Sequence, residues 1–281
     1  MKPPVAKTVD HETEIHGHRR SDAYAWLKNK ADPEVIAYLE AENAYTDHEM
    51  AHTEALQQQL YDEMVGRIQE TDLSVPVRID GFLYYSRTEE GRQYPIYCRK
   101  EGDADAEEEV LLDLNAEAEG HDYLSLGLFE VSPDHKLLAF SLDTTGAESY
   151  TLRFKNLESG DLLADAIEGV SYSLEWANDS RTVFYTVEDH AKRPHRLYRH
   201  ELGQTGEDAL VFEEKDELFR LGIGKTKDEA FLILGIASIE TSECRLLGAD
   251  LETSEFRLIQ PREKGHRYRV EHREGLLYIL S

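Results

Sequence analysis

A pattern of polar and apolar positions returns about every 45 to 50 residues along most of the chain. Each unit has a polar turn containing Asp, then a short apolar run, then a hairpin interrupted by Gly. The clearest turns are Ser132-Pro133-Asp134, Asn178-Asp179-Ser180 and Thr226-Lys227-Asp228, so their Asp residues are 45 and 49 positions apart. Fainter copies begin at Asp80-Gly81 and Glu274-Gly275, and the chain stops inside the last one. The repetition predicts a fold built from copies of one unit.

Each unit holds a second pair of apolar runs, which indicates about four strands per repeat. The runs are short, rich in Phe, Tyr, Leu and Val, and bounded by Gly, Asp and Ser, as is typical of strands. One of the later hairpins turns at Glu252 to Ser254. Four short strands in about 40 to 50 residues form one blade of a β-propeller. Dispersed β-sandwich hairpins would give similar strands but would not keep the period.

The first 72 residues follow a different pattern, which predicts an N-terminal helical arm. Ser21-Asp22 can cap a short helix, and Asp32-Pro33 is an N-cap followed by proline at the first helical position. A long helix is expected next, because apolar residues recur at helical spacing. They are Val35, Ile36, Leu39, Tyr45, Leu56, Leu60, Met64 and Ile68. Around Thr71 to Pro76 the period changes to that of strands, and the apolar stripe of the arm needs a packing partner.

The predicted fold class is therefore all-β, a partial β-propeller preceded by an N-terminal α-helical arm. The arm spans residues 1–72 and the propeller spans 73–281. Blades are expected near residues 75–115, 123–165, 170–214 and 217–260, with the start of a further blade at 266–281.

The chain is strongly acidic, with 57 Asp and Glu against 31 Lys and Arg and a formal net charge of -26. Such a surface repels phosphate backbones, so the charge argues against nucleic acid as a partner. Two interpretations of the charge stay open. It can serve solubility alone, or it can steer cationic peptides toward a cleft. The acidic run from Asp103 to Glu109 is expected in an exposed hairpin turn of the first blade.

The sequence contains no run of 18 apolar residues and no apolar segment near the N-terminus that would act as a secretory signal. The prediction is a cytoplasmic protein without a membrane partner. Cys98 and Cys244 are the two cysteines; they lie in different predicted blades and lack CxxC spacing. They therefore indicate neither a disulfide framework nor a metal site.

Three short motifs imitate catalytic or modification sites. His48-Glu49-Met50-Ala51-His52 matches the H-E-x-x-H pattern of zinc hydrolases, with Asp72 as a possible third ligand. Charged neighbours favour a solvated helix face instead. Gly224-Lys225-Thr226 imitates the end of a P-loop, but Phe219 stands where the earlier Gly is needed. Asn178-Asp179-Ser180 fits a glycosylation sequon and is interpreted as a blade turn.

Several segments near the N-terminus carry a family resemblance. They are Ser21-Asp22-Ala23-Tyr24-Ala25-Trp26-Leu27, Asp32-Pro33-Glu34-Val35, Tyr38-Leu39-Glu40-Ala41-Glu42-Asn43 and Gln93-Tyr94-Pro95-Ile96-Tyr97-Cys98-Arg99. Together they resemble the N-terminal half of the prolyl oligopeptidase family of serine peptidases and, within it, the oligopeptidase B group. The resemblance implies a helical arm, a seven-bladed propeller and a C-terminal α/β-hydrolase domain that carries a Ser, Asp, His triad. It also implies cleavage of short peptides after Lys or Arg.

The chain departs from this family pattern in its length. It is expected to hold about four of seven blades, and the α/β-hydrolase domain is absent from it. No G-x-S-x-G nucleophile elbow occurs, and Ser132 and Ser141 fall in a repeat turn and a strand. No catalytic, cofactor-binding or metal-binding residue is therefore assigned, and no cofactor is expected.

Two classes of function remain. In the first, the chain is the gating and size-filtering part of a serine oligopeptidase, whose partners are the missing hydrolase domain and short basic peptides. In the second, it is a stand-alone propeller that binds a partner without catalysis. An open propeller leaves a blade face and strand edges unpaired, which favours the first class.

Overall fold

The computed structural model describes residues 1–253 and 255–281, so Ser254, at the end of the predicted turn at Glu252 to Ser254, lies outside the described residues. The described chain forms two compact units, Met1–Glu70 and Thr71–Ser281. The first unit begins with a hairpin and continues in helices. Its strands are β1 (Glu12–Ile15) and β2 (His18–Ser21), and its α-helices are α1 (Pro33–Met50) and α2 (Glu54–Val65), with 3₁₀ turns at Ala25–Lys28 and Ala51–Thr53.

Helix α1 begins where the sequence predicted, whereas the predicted long helix is interrupted. Asp32 is the N-cap and its carboxylate accepts a hydrogen bond from the Glu34 amide at 2.9 Å, directly before Pro33. The interruption is the 3₁₀ turn Ala51–Thr53, where the Thr53 hydroxyl donates to the Met50 carbonyl at 2.7 Å. This side-chain bond offers the backbone an alternative to continuous helix. The prediction of one helix was therefore wrong at this point.

The second unit is a series of antiparallel sheets that correspond to propeller blades. The first blade contains β3 (Asp72–Leu73), β4 (Val77–Ile79), β5 (Phe82–Thr88), β6 (Ile96–Glu101) and β7 (Glu108–Asp113). After the short helix α3 (Leu114–Glu117), the second blade contains β8 (Ser125–Val131), β9 (Leu137–Asp143), β10 (Tyr150–Asn156) and the first part of β11 (Leu162–Trp176). From β8 to β11, each strand pairs with the next one along the chain, whereas β3 and β4 of the first blade both pair with β5.

The third blade contains the second part of β11 followed by β12 (Thr182–Glu188), β13 (Pro194–Glu201) and β14 (Ala209–Glu213). The fourth blade contains β15 (Arg220–Lys225), β16 (Phe231–Ala237), β17 (Ser242–Gly248) and β18 (Arg257–Leu258). A hairpin of β19 (Arg269–Arg273) and β20 (Leu276–Leu280) begins a fifth blade. The described chain is thus mostly β, with a partial propeller after a helical arm, as the repeat predicted.

Strand β11 joins the second and third blades into one hydrogen-bonded sheet. Its first part pairs with β10, its second part pairs with β12, and Val170 lies at the changeover. The preceding residue, Gly169, has a φ of +73°, a left-handed conformation that glycine adopts without strain. One strand is therefore both the outermost strand of one blade and the innermost strand of the next.

The repeated Asp turns place the strands that follow them. Ser132 Oγ donates to Asp134 and accepts from the Leu137 amide at 2.9 Å, which closes the turn before β9. In the equivalent turn of the third blade, Asp179 accepts from the Thr182 amide at 2.8 Å. An Asp that accepts backbone N–H bonds two or three residues ahead stabilises a tight turn locally. This local chemistry explains why the period was readable from the sequence.

The hydrophobic core is divided into clusters that lie between consecutive blades. Leu111 and Leu112 of the first blade pack with Leu138 and Phe140 of the second. Leu152 and Phe154 of the second blade pack with Trp176 and Val183 of the third, among other residues. Similar clusters join the third blade to the fourth, and the fourth to the hairpin that follows. Each blade therefore depends on its neighbours for burial.

We expect Gly127→Ala to lower the free energy of unfolding by about 1–3 kcal/mol, because the site has no room for a methyl group. Gly127 sits at a register shift of β8, and an added Cβ would lie 2.6 Å from Tyr150 Cδ1 and 2.7 Å from Ser141 Oγ. Gly224→Ala, in the innermost strand of the fourth blade, is the control, since its Cβ would meet no atom within 4 Å. Urea unfolding of the full chain measures both, and equal losses would contradict the steric argument.

Candidate functional site

The H-E-x-x-H motif lies at the end of a helix. His48 and Glu49 belong to the last turn of α1, whereas His52 lies in the 3₁₀ turn, with its Nδ1 2.9 Å from the Glu49 carbonyl oxygen. All three residues are exposed. Asp72 is in β3 of the second unit. Within residues 1–253 and 255–281, no three His, Cys, Asp or Glu side chains are grouped to hold a metal ion.

The other two motifs belong to the blades. Gly224 and Lys225 end strand β15 and do not open a helix, so the geometry of a phosphate-binding loop is missing there. The Asn178 amide donates to the Glu229 carbonyl at 3.0 Å and to Asp250 at 2.9 Å, which links the turns of the third and fourth blades. Cys98 and Cys244 are both free and buried.

The acidic run Asp103 to Glu109 is only partly a turn. Glu108 and Glu109 belong to strand β7, where Arg87 Nε donates to Glu108 at 2.9 Å and Arg99 Nε donates to Glu109 at 2.7 Å. The expectation of five turn carboxylates was wrong for these two, because β7 begins at Glu108 and both residues pair with β6. Asp105 and Glu107 remain exposed.

Charged side chains converge where the innermost strands of three blades end. Glu130 is near the end of β8, Glu175 near the end of β11, and Lys225 ends β15. These strands are neighbours, β8 beside β11 and β11 beside β15. The three side chains line one cavity of ≈ 420 Å³, whose wall also includes Tyr84 and Trp176. The innermost strands of a propeller surround a central channel, so we call Glu130, Glu175 and Lys225 the channel cluster.

The channel cluster carries incompletely balanced negative charge. Lys225 Nζ lies 3.8 Å from Glu175 Oε1, and these side chains are only 11% and 22% exposed. Removal from water and the nearby Glu175 charge raise the pKa of Glu130 to about 7, although Lys225 opposes the change and the Glu130 side chain still reaches solvent. Burial likewise raises the pKa of Glu175. One ammonium group thus does not compensate two carboxylates.

This arrangement can bind a cation. An additional ammonium or guanidinium group beside Glu130 would favour the ionised carboxylate and would offset part of the negative charge of the cavity, whose wall also includes Asp80, Glu229 and Lys227. Arg and Lys side chains and peptide amino termini are groups of this kind. The described cavity therefore suits a cationic group.

Sequence reasoning missed the channel cluster, although the repeat contained a signal for it. Glu130 and Glu175 each precede the Asp of the following turn by four positions, and Lys225 precedes Asp228 by three. Equivalent positions in successive blades lie at the same height around the axis. Glu130 and Glu175 occupy equivalent repeat positions and therefore come together in space, so aligning the repeats with each other would have shown this pair, whereas Lys225 lies one position further along its repeat.

The chain was compared with known protein families and relatives. Residues 3–281 match the profile of a family described as prolyl oligopeptidase, N-terminal beta-propeller domain. The chain is 41% identical to Protease 2 of Moraxella lacunata, across 100% of the chain and 42% of the relative. It is 40% identical to dipeptidyl aminopeptidase BI of Pseudoxanthomonas mexicana, across 96% of the chain and 40% of the relative. It thus spans about two fifths of their length.

Solved structures give the same picture. Oligopeptidase B from Leishmania major superposes with a TM-score of 0.89 at 32% identity, covering 96% of the chain and 41% of that protein. Oligopeptidase B from Trypanosoma brucei, with covalently bound antipain, gives a TM-score of 0.87 at 34% identity, covering 97% of the chain and 41% of that protein. No helix in the part of the chain that is described is long and apolar enough to cross a membrane.

We expect stability to fall as pH rises from about 4.5 to about 7, with Glu130 as one cause. The pKa of Glu130 is higher in the folded chain than its ordinary 4.5, so folding favours the protonated form and ionisation opposes folding. In Glu130→Gln the loss of unfolding free energy between pH 4.5 and 7 should be smaller by about 1 kcal/mol. The value is modest because solvent screens the side chain. Thermal unfolding between pH 4.5 and 7.5 measures it, with the exposed turn variant Glu158→Gln as control. An unchanged pH slope in Glu130→Gln would refute the assignment.

Proposed function

The chain belongs to the prolyl oligopeptidase family, as its N-terminal β-propeller domain, and from this we propose that it gates a serine oligopeptidase. In the proposed enzyme, the propeller covers the active site of a C-terminal α/β-hydrolase domain and admits short, flexible peptides while excluding folded proteins. Hydrolysis would proceed by acyl transfer to a serine of that domain, with His as general base. The chain itself would supply no catalytic residue.

One observation carries this proposal: the match extends over nearly the whole chain, while the relatives are more than twice as long. The strand topology also supports the placement of a following domain over one face of the propeller. Strands in a blade alternate in direction, so the outermost of four strands returns to the face where the innermost strand begins. Polypeptide that follows the last blade of a complete propeller would leave on that face. A following domain would thus cover one end of the channel and leave free the end that holds the channel cluster.

Cleavage after Lys or Arg is proposed from the resemblance to oligopeptidase B and from the charge of the cavity. The uncompensated carboxylates of the channel cluster suit basic peptides, and the net charge of -26 would attract them. A dipeptidyl aminopeptidase of nearly equal identity makes removal of amino-terminal dipeptides a second candidate activity. The cytoplasmic location stays a prediction.

The competing function is a stand-alone propeller that binds a partner without catalysis. Exposed apolar residues on β20 and β4 suit either function, because further blades or another protein could cover them. Enzyme assays with and without a hydrolase domain separate the two functions.

We expect the chain alone to leave fluorogenic peptides ending in Arg, Lys or Pro intact. Joined to the C-terminal three fifths of Moraxella lacunata Protease 2, it should form an active peptidase that prefers Arg and Lys. Serine-directed phosphonate should block that activity, and a folded protein substrate should resist cleavage. The same C-terminal three fifths of the relative, without the chain, is the control. Hydrolysis by the chain alone, or an inactive but folded fusion, would contradict the gating proposal.

We expect a short labelled peptide with two Arg residues to bind the chain more weakly as salt rises. The screening length falls from about 8 Å at 0.15 M to about 3 Å at 1 M, so charge attraction across the channel weakens. Fluorescence anisotropy between these concentrations measures the effect, with a neutral peptide of equal length for comparison.

The steering role is tested with two doubly neutralised variants. Glu130→Gln with Glu175→Gln should flatten the salt dependence, whereas Asp105→Asn with Glu107→Gln should leave it unchanged. The second pair lies in the exposed turn of the first blade and removes the same number of carboxylates. Equal slopes in both variants would leave solubility as the reason for the acidic surface.

A further inference from the structure

A buried histidine lies between two carboxylates at the junction of the second and third blades. His200, in β13 of the third blade, has its Nε2 3.0 Å from Asp165 Oδ1 and its Nδ1 2.8 Å from Asp208 Oδ1. Asp165 belongs to the outermost strand of the second blade, and Asp208 lies in the turn before β14. The His200 side chain is 8% exposed. The three residues therefore connect two blades.

The hydrogen-bond geometry around the ring favours a doubly protonated imidazole. An ionised carboxylate only accepts hydrogen bonds, so both ring nitrogens must donate to satisfy both contacts. Imidazole does so only when it carries two protons and a positive charge. The Tyr185 hydroxyl donates to the second oxygen of Asp208 at 2.8 Å, which suits an ionised Asp208. Burial and this carboxylate raise the pKa of Tyr185.

The neighbouring groups allow a second arrangement. The Gln204 amide nitrogen is 3.4 Å from His200 Nδ1 and also contacts Asp208. If Nδ1 loses its proton, this amide can donate to the ring in place of the lost bond. The Gly203 amide donates to Asp165 at 2.8 Å, so this short turn also contacts the second blade directly.

The remaining surroundings add negative charge and aromatic surface. From β10, the Phe154 ring stacks on His200 with centroids 5.9 Å apart. Tyr198 of β13, Glu168 of β11 and Glu207 of the turn line the adjacent polar cavity of ≈ 680 Å³. Among these neighbours the carboxylates all favour the charged ring, and no Lys or Arg lines that cavity within the described residues.

We propose that Asp165, His200 and Asp208 form a proton-dependent latch between the second and third blades. With two ring protons, two charge-assisted bonds hold the turn at residues 202–208 against β11. Loss of the Nδ1 proton ends the bond to Asp208. The Gln204 amide then donates to Nδ1, and the neutral ring keeps its bond from Nε2 to Asp165. The latch is then weaker, and this part of the propeller opens more often.

Other histidines at blade junctions provide an internal comparison. His135 of the second blade contacts Asp80 of the first at 3.0 Å, and His272 contacts Asp228 of the fourth at 2.6 Å. The second ring nitrogen of His135 meets the Tyr84 hydroxyl at 2.7 Å, which can donate to it. A neutral ring satisfies both contacts of His135. The demand for two ring protons therefore arises at His200 from its second carboxylate.

The latch is tested on the full chain between pH 5.5 and 9. Selective ¹⁵N-histidine labelling reports the protons on each ring nitrogen of His200, with His200→Gln to assign the signal. Hydrogen exchange of the Gly203 amide, corrected for intrinsic rates, should become about fivefold faster as His200 loses one proton. The Asp134 amide, which donates to Ser180 across the same junction at 3.0 Å, is the control and should not change.

The variants make the outcome decisive. In His200→Gln the corrected exchange at Gly203 should not respond to pH, whereas His195→Gln, on the same strand, should behave as the unmodified chain. A neutral His200 ring throughout the range, with Asp208 protonated instead, would overturn the proposal. Exchange at Gly203 that does not follow the His200 signal would overturn it as well; if His200→Gln fails to fold, single variants of the other histidines assign that signal by elimination.

Discussion

Burial of each blade against its neighbours is the constraint on which the propeller depends. A four-stranded sheet has two faces, and a single blade can cover neither of them by itself. The clusters around Phe140, Trp176 and Leu234 each draw residues from two consecutive blades. The stability of each blade therefore depends on its neighbours, and a substitution in one blade can alter the packing at both of its junctions. Gly127 shows how little slack the packing leaves.

The same constraint brings charged groups together. Because every innermost strand runs in the same direction, the ends of β8, β11 and β15 meet at one end of the channel. Side chains just before the repeated turns then share a cavity whatever their distance in sequence. Apolar side chains such as Trp176 line the same cavity, and it tolerates the charges because Lys225 pairs with Glu175 and Glu130 reaches solvent. The grouping of these charged side chains is thus a consequence of the repeat.

The parts of the fold that could be predicted from sequence are those specified locally. The Asp turns, the N-cap at Asp32 and the strand pattern depend on residues a few positions apart, and the structure agrees with them. The continuous strand β11 could not be predicted. It passes from pairing with β10 to pairing with β12 next to Gly169, and the local sequence pattern does not specify this change of partner. The pairing of Glu108 with Arg87 and the channel cluster depend on residues tens of positions apart. The local pattern within one repeat carries no information about such partners, and only the equivalent positions of Glu130 and Glu175 in successive repeats relate two of them.

Apolar and polar contacts have different effects at the junctions between blades. Apolar packing supplies most of the favourable free energy, but it tolerates small shifts of one blade along the next. Polar pairs are sensitive to such shifts, since a displaced partner leaves a buried group unpaired at a cost of about 1–3 kcal/mol. Arg193 illustrates this, because it is bound to Asp189 in its own blade and donates to the carbonyls of Asp216 and Phe219 at the start of the next. Packing therefore holds the blades together, while these polar contacts fix how each blade is placed against the next.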